Sequence, residues 1–171
     1  MTEATRTKAR IVGTLRPVDG KGVVRMEGRY DTDIDDLWSA LTEPERLARW
    51  IVEVAGDLQV GGEFSASFTS SWEGVGRVDV CERPNRLLVT MSPGTADETV
   101  IEAELNGDGE QTMLVIEERG LPLDVYADHG AGWQAHVEDL DTHLAGRERT
   151  EWHARWTELM PSYREQAAGL G

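Results

Sequence analysis

Through the middle of the chain hydrophobic and polar residues alternate; on either side the hydrophobic residues recur every three to four positions. Phe64, Ala66 and Phe68 alternate with Glu63, Ser65 and Ser67, and Gly76, Val78 and Val80 with Arg77, Asp79 and Cys81. Leu87, Val89 and Met91 follow, then Ile101, Ala103 and Leu105, then Leu114 and Ile116. A period of two puts each set on one face of a strand. The breaks, Gly61-Gly62, Pro84-Asn85, Pro93-Gly94 and Asn106-Gly107-Asp108-Gly109, are turn formers. Between Leu58 and Glu118 the pattern predicts five strands in an antiparallel meander with one apolar face.

Residues 1–9 are polar and are expected to fray. Two further strands are predicted at 11–15 and 23–26, joined by a turn over Asp19-Gly20-Lys21-Gly22. Ile34, Leu37, Trp38 and Leu41 recur at helical spacing, with Thr32 or Asp33 as the N-cap. A second short helix starts with Thr42 as cap and Pro44 in its first turn, and ends near Trp50. After Pro122 a long helix is predicted over 124–145, with Trp133, Val137, Leu140 and Leu144 on one stripe and Gly146 as its stop. A last helix over 150–160 carries Trp152, Trp156, Leu159 and Met160, and Pro161 is expected to end it.

This order implies an α+β fold in which one long helix closes a curved antiparallel sheet. Seventeen helical residues, 129–145, span ~25 Å, enough to cross about five strands spaced ~4.8 Å apart. A space between helix and sheet follows. Ala66, Gly76 and Ala103 are small residues on the apolar face and would withhold volume from it. The division expected is a domain over 10–146 and a helical extension over 147–171, packed on that domain or on a partner.

Four stretches resemble a known family. Trp38-Ser39-Ala40-Leu41-Thr42-Glu43-Pro44-Glu45-Arg46-Leu47-Ala48-Arg49-Trp50 resembles the W-x-A-L-T-x-P-x-x-L-x-x-W opening of START-like helix-grip domains. Gly61-Gly62-Glu63-Phe64 is similar to their G-G-x-F strand entry, and Gly76 to Leu87 to their G-x-V-x-x-x-x-P-x-x-R-L stretch. Gly132-Trp133-Gln134-Ala135-His136-Val137-Glu138-Asp139-Leu140 resembles the closing helix, with Val137 in place of the usual Leu. The branch is that of homologues of the activator of the heat-shock protein 90 ATPase, within the SRPBCC superfamily. The resemblance covers about residues 23–146 and implies a helix-grip (START-like, Bet v-like) fold with a cavity. Superfamily members bind lipids, hormones and polyketides, and some catalyse cyclisation or dehydration. The branch name adds a chaperone as a partner class. A fold by itself does not choose among these.

Charge removes other classes. Seventeen basic residues stand against thirty-two acidic ones, a formal charge of −15 over 171 residues. Nucleic acid and anionic membrane surfaces both call for a basic footprint, so neither is an expected partner. One cysteine, Cys81, excludes an internal disulfide and a cysteine cage for zinc. No apolar run near the start reads as a signal peptide, and the expected compartment is the cytoplasm. No metal, nucleotide or other cofactor is expected. Gly74-Val75-Gly76 lacks a third glycine, and no serine sits in a G-x-S-x-G elbow.

Few residues are left to carry chemistry. His129, His136 and His143 recur every seven positions, ~10.5 Å apart along a helix, too far to share a zinc ion. With Asp139 they read as a solvated helix face, except that His129 and His136 flank Trp133 and either could face the cavity. Period two through Leu114 and Ile116 carries Glu118 inward if the strand runs on; if it ends at Glu117, Glu118 reaches solvent at the rim. An inward Glu118 could fix a polar ligand group or act as general acid or base. Trp38, Trp50, Trp72 and Trp133 are stacking candidates that tertiary packing can equally claim. The expected lining is Phe64, Val78, Val89, Met91, Ile101, Leu114, Ile116, Glu118, His129, Trp133 and His136. The leading reading is a module that binds a hydrophobic or aromatic small molecule. The alternatives are a cyclase- or hydrolase-like enzyme using Glu118 with His129 or His136, and a chaperone-associated or regulatory interaction module. Trp152 and Trp156 could supply a homodimer contact.

Overall fold

The computed structural model describes residues 8–170. The N-terminal pair is a hairpin, β1 (Arg10–Val18) and β2 (Lys21–Tyr30). Asp19 and Gly20 between them both have positive φ, 52° and 79°, as a two-residue turn of the primed type requires. Of the stretch expected to fray, residues 1–7 lie outside the described part. Ala9 is held, its N–H donating to Asp141 Oδ2 at 3.1 Å.

Helix α1 (Ile34–Thr42) is capped by Asp33, whose side chain accepts from the Asp36 N–H. Thr42 does not cap the next helix, α2 (Pro44–Trp50): it closes α1 and gives its hydroxyl to the Trp38 carbonyl at 2.8 Å. Glu43 takes the N-cap place without a side-chain bond. The turn from α2 leads into a strand the pattern left out, β3 (Val52–Gly56). It is five residues long and pairs with β4 alone, too short for its alternation to stand out beside a helix.

The five predicted strands are β4 (Glu63–Phe68), β5 (Glu73–Glu82), β6 (Arg86–Met91), β7 (Thr99–Asp108) and β8 (Gln111–Leu121). All pairings are antiparallel, and the order in the eight-stranded sheet is β1-β2-β8-β7-β6-β5-β4-β3. Only β2 with β8 joins segments far apart in sequence. On one face, arginines and carboxylates bridge neighbouring strands. Glu117 accepts from Arg16, Arg25 and Arg119, and Glu102 from Arg86 and Arg119. Burial pushes the Glu117 carboxyl up, but these guanidinium bonds outweigh it and hold it at about 2.

The other face carries Val24, Met26, Val78, Ala103, Leu114 and Ile116, all buried in one core with residues of α3 (Tyr126–Leu144). Gly146, at φ 75°, follows the end of α3 as the sequence predicts. The last helix, α4 (Trp152–Leu170), runs straight through Pro161 instead of stopping there. A proline inside a helix removes one N–H bond. Anchors beyond it compensate: Tyr163 donates its hydroxyl to Gln134 Oε1 at 2.7 Å, and the Leu15 N–H donates to Gln166 Oε1 at 2.7 Å.

Gly13 makes this docking possible. A Cβ there would lie 1.7 Å from the Tyr163 hydroxyl oxygen and 2.8 Å from Met26 Cε. Gly13→Ala is therefore expected to push Tyr163 off β1 and lower stability by about 1–3 kcal/mol, read as a lower urea midpoint. An unchanged midpoint would mean that α4 does not depend on this contact.

Candidate functional site

A cavity of about 540 Å³ opens at the end of the sheet where β8 stops, beneath the first half of α3 and the start of α4. Three connections bound its mouth: residues 69–72 between β4 and β5, 92–98 between β6 and β7, and 122–125 between β8 and α3. The size is that of small-molecule sites generally.

Glu118 forms part of its wall. Because β8 continues to Leu121, Glu118 keeps the inward phase of Leu114 and Ile116 and is 7% exposed. Its carboxylate accepts from the Thr99 hydroxyl at 2.8 Å and from the Trp133 indole N–H at 2.9 Å. The His129 Nδ1 lies 3.5 Å from Glu118 Oε1. Burial works to raise the Glu118 pKa, but His129, Trp133 and Thr99 outweigh it and hold the carboxyl below its usual range. At His129 burial works to lower the pKa and the bond to Glu118 outweighs it, so the imidazole sits above its usual value. The pair thus favours carboxylate and imidazolium together.

His136 differs. It is 5% exposed, and its Nδ1 is sealed without a hydrogen-bond partner among the described residues. Burial, helped by the charge of Arg149, brings its pKa down to about 3, so the ring is neutral. It stacks on Trp152 with centroids 5.3 Å apart and touches Trp133 at 5.8 Å and Phe68 at 6.0 Å. Trp152 stacks in turn on Trp156 at 5.8 Å, and Phe68 meets Trp72 edge-on at 5.5 Å. All these rings line the cavity, with His136 at the centre of the chain of contacts.

Of the expected lining, the structure brings Met91, Glu118, His129, Trp133 and His136 together around the cavity. Phe64, Val78, Leu114 and Ile116 share the same sheet face but are packed core away from the cavity wall. Val89 and Ile101 are half-buried against that core and are likewise outside the lining. The volume withheld by Gly76 is already taken: a Cβ there would meet Phe64 Cζ at 2.5 Å and Met91 Sδ at 3.0 Å. Trp38 and Trp50 are core, whereas Trp72 and Trp133 line the cavity.

The helix face expected to be solvated is largely covered. Asp139 is buried and accepts from the Thr150 N–H and hydroxyl. His143 Nε2 accepts from Arg46 Nε at 3.1 Å. Among the described residues no three His, Cys, Asp or Glu side chains are grouped to hold a metal ion. Sequence reasoning missed Thr99, Trp152 and Trp156 as wall residues. The available signal was a tryptophan pair four apart on a helix otherwise rich in charge.

A curved antiparallel sheet gripping a long helix defines a START-like helix-grip domain. The model of the family described as activator of Hsp90 ATPase homolog 1-like protein matches residues 31–145, and the chain belongs to that family. No curated protein matches the chain. Among solved structures, CalU16 from Micromonospora echinospora is similar at 23% identity and a TM-score of 0.75, over 95% of this chain and 99% of that one. DynU16, a protein in the dynemicin biosynthetic locus, is similar at 27% identity and a TM-score of 0.69, over 79% of this chain and 51% of that one. The HSP90 activator PFC0360w from Plasmodium falciparum is similar at 21% identity and a TM-score of 0.60, over 72% of this chain and 96% of that one. The family match ends just before α4, so the Trp152 and Trp156 wall lies outside it.

Proposed function

We propose that this protein binds a hydrophobic or aromatic small molecule in the cavity under α3 and α4. The observation that carries this reading is a cavity of about 540 Å³ walled by aromatic rings and holding one buried, oriented carboxylate, Glu118. A concave site that combines aromatic walls with convergent polar groups is the usual form of a ligand site. DynU16 supports it from outside, since a biosynthetic locus handles small molecules. Two tests apply to folded protein: a hydrophobic library should raise the melting temperature by linkage and should shift tryptophan emission through Trp133. If neither signal appears with any member, the cavity is not a binding site.

An enzyme on the same cavity is the second reading, favoured by the Glu118–His129 contact at 3.5 Å beside a neutral His136. It needs turnover of a bound compound that is lost in His129→Gln. The interaction-module reading rests on the family's name and on PFC0360w, whose 21% identity carries the fold alone. The rings offered for a homodimer, Trp152 and Trp156, are used inside the chain, so a dimer would need another surface. We place the protein in the cytoplasm, where an exposed lone thiol such as Cys81 stays reduced. No helix among the described residues is long and apolar enough to cross a membrane.

A further inference from the structure

Glu118 and His129 satisfy each other in charge, yet one nitrogen of the pair is unused. The His129 Nδ1 lies 3.5 Å from Glu118 Oε1, which keeps a proton on that side of the ring. Nε2, on the side away from Glu118, has no hydrogen-bond partner among the described residues, and the side chain is 41% exposed where it lines the cavity. Most other side-chain donors of the wall are spent. Thr99 and Trp133 donate to Glu118, Trp152 to the Gly132 carbonyl and Trp156 to the Asp128 carbonyl. No lysine or arginine lines the cavity and His136 is neutral, so His129 is the one lining side chain that carries positive charge. The charged groups around it are Glu118 from β8 and Asp128 from α3, the latter paired with Arg164 of α4 at 3.1 Å; Glu73 and Asp97 stand at the mouth. Glu118 and Asp128 both favour the imidazolium.

The two protonation states of His129 present opposite chemistry at Nε2. The imidazolium has an N–H on each nitrogen, one for Glu118 and one to give. The neutral ring, its proton kept on Nδ1 by Glu118, offers a bare lone pair at Nε2. Resting on the binding reading above, we propose that the His129 Nε2–H is the polar anchor of the cavity and donates to a neutral oxygen acceptor, a carbonyl, on an aromatic ligand. Glu118 is the positioning residue that holds the ring. A carboxylate on the ligand is disfavoured, because Glu118 already balances the imidazolium and a second anion would be left without a counter-charge.

Calorimetry on the full chain with two probes of one shape tests this: acetylnaphthalene, which has the carbonyl, and isopropenylnaphthalene, in which a methylene replaces the oxygen. The ketone-to-alkene affinity ratio is expected to be at least about five-fold higher at about pH 6 than at about pH 9, because the preference is lost as His129 gives up its Nε2 proton. In His129→Gln the ratio should not change with pH. A second measurement needs no variant: the ketone should move the His129 titration midpoint, followed by NMR, to higher pH than the alkene does, since ligand and proton binding are reciprocally linked. A ratio that stays level with pH in the parent, a ratio that still changes in His129→Gln, or equal midpoints in the two complexes overturns the anchor and leaves the cavity reading standing. No binding of either probe to folded protein removes both.

Discussion

Trp152→Ala is expected to destabilise the protein by about 3–5 kcal/mol and to abolish ligand signals at the same time. The ring is 7% exposed, stacks on His136 and Trp156, and donates its indole N–H to the Gly132 carbonyl at 3.3 Å. It therefore does two things: it fastens α4 to α3 and forms part of the cavity wall. Gly132 is shaped for this contact, since a Cβ there would lie 3.2 Å from Trp152 Cζ2. Urea unfolding followed by circular dichroism gives the stability change. Trp156→Ala separates the two roles, because Trp156 is half-buried and its removal should cost less stability while still thinning the wall. A loss below about 1 kcal/mol for Trp152→Ala would show that α4 is not docked as described.

The second large effect is a dependence on acidity centred on His136. In the unfolded chain a histidine titrates near its ordinary value of about 6.5. In the fold, burial and the charge of Arg149 bring His136 to about 3. Between these values the unfolded chain takes up a proton that the native protein refuses. Stability therefore falls as pH falls below 6.5, by up to about 1.4 kcal/mol per unit, and levels off below about 3. From pH 6.5 to 4.5 this amounts to about 2–3 kcal/mol. His143, lowered by burial and by Arg46 and Arg49, adds a loss of the same sign in that window. His129, raised above its usual value, acts the other way: it stabilises below 6.5, and that contribution is lost as pH rises through its folded pKa. Glu117, held at about 2, contributes fully above the ordinary carboxylate range, and that contribution is lost only as pH falls from there toward 2 and its three arginine partners lose their acceptor. His136→Phe keeps the stacking surface and removes the titration, so its urea midpoint should decline less between pH 6.5 and 4.5 than that of the parent. Equal slopes in the two proteins would mean that His136 is not held neutral.

These effects differ in how far they are legible in the chain. Trp133 and Met91 follow from periodicity, since their stripes point toward each other across the helix–sheet interface. Glu118 follows only if β8 is known to extend past Glu117, and nothing local decides that. The extension is paired by β2 on one side and β7 on the other, and Thr99 and Trp133 supply hydrogen bonds to a carboxylate that would otherwise be costly to bury. His136 is harder still. On α3 alone it lies on a polar face beside Asp139, and only α4, arriving from 16 residues further on, turns that face inward.

Local pattern alone determined the element types, the antiparallel meander and the long closing helix. Those depend on side-chain period and turn chemistry, which act within a few residues. The family resemblance was legible for the same reason, because its motifs mark element starts and ends. The position of the cavity was decided by tertiary structure. Periodicity identifies the apolar face of each strand, but not whether facing residues interlock or stand apart. Phe64 fills the space Gly76 leaves, so the interior there is solid. Beyond Met91, the strand partner of Gly76, three connections and α4 meet around Glu118 and His136 without filling the gap. Whether volume closes or stays open depends on contacts between segments far apart in the chain, and these form only when the whole fold is in place.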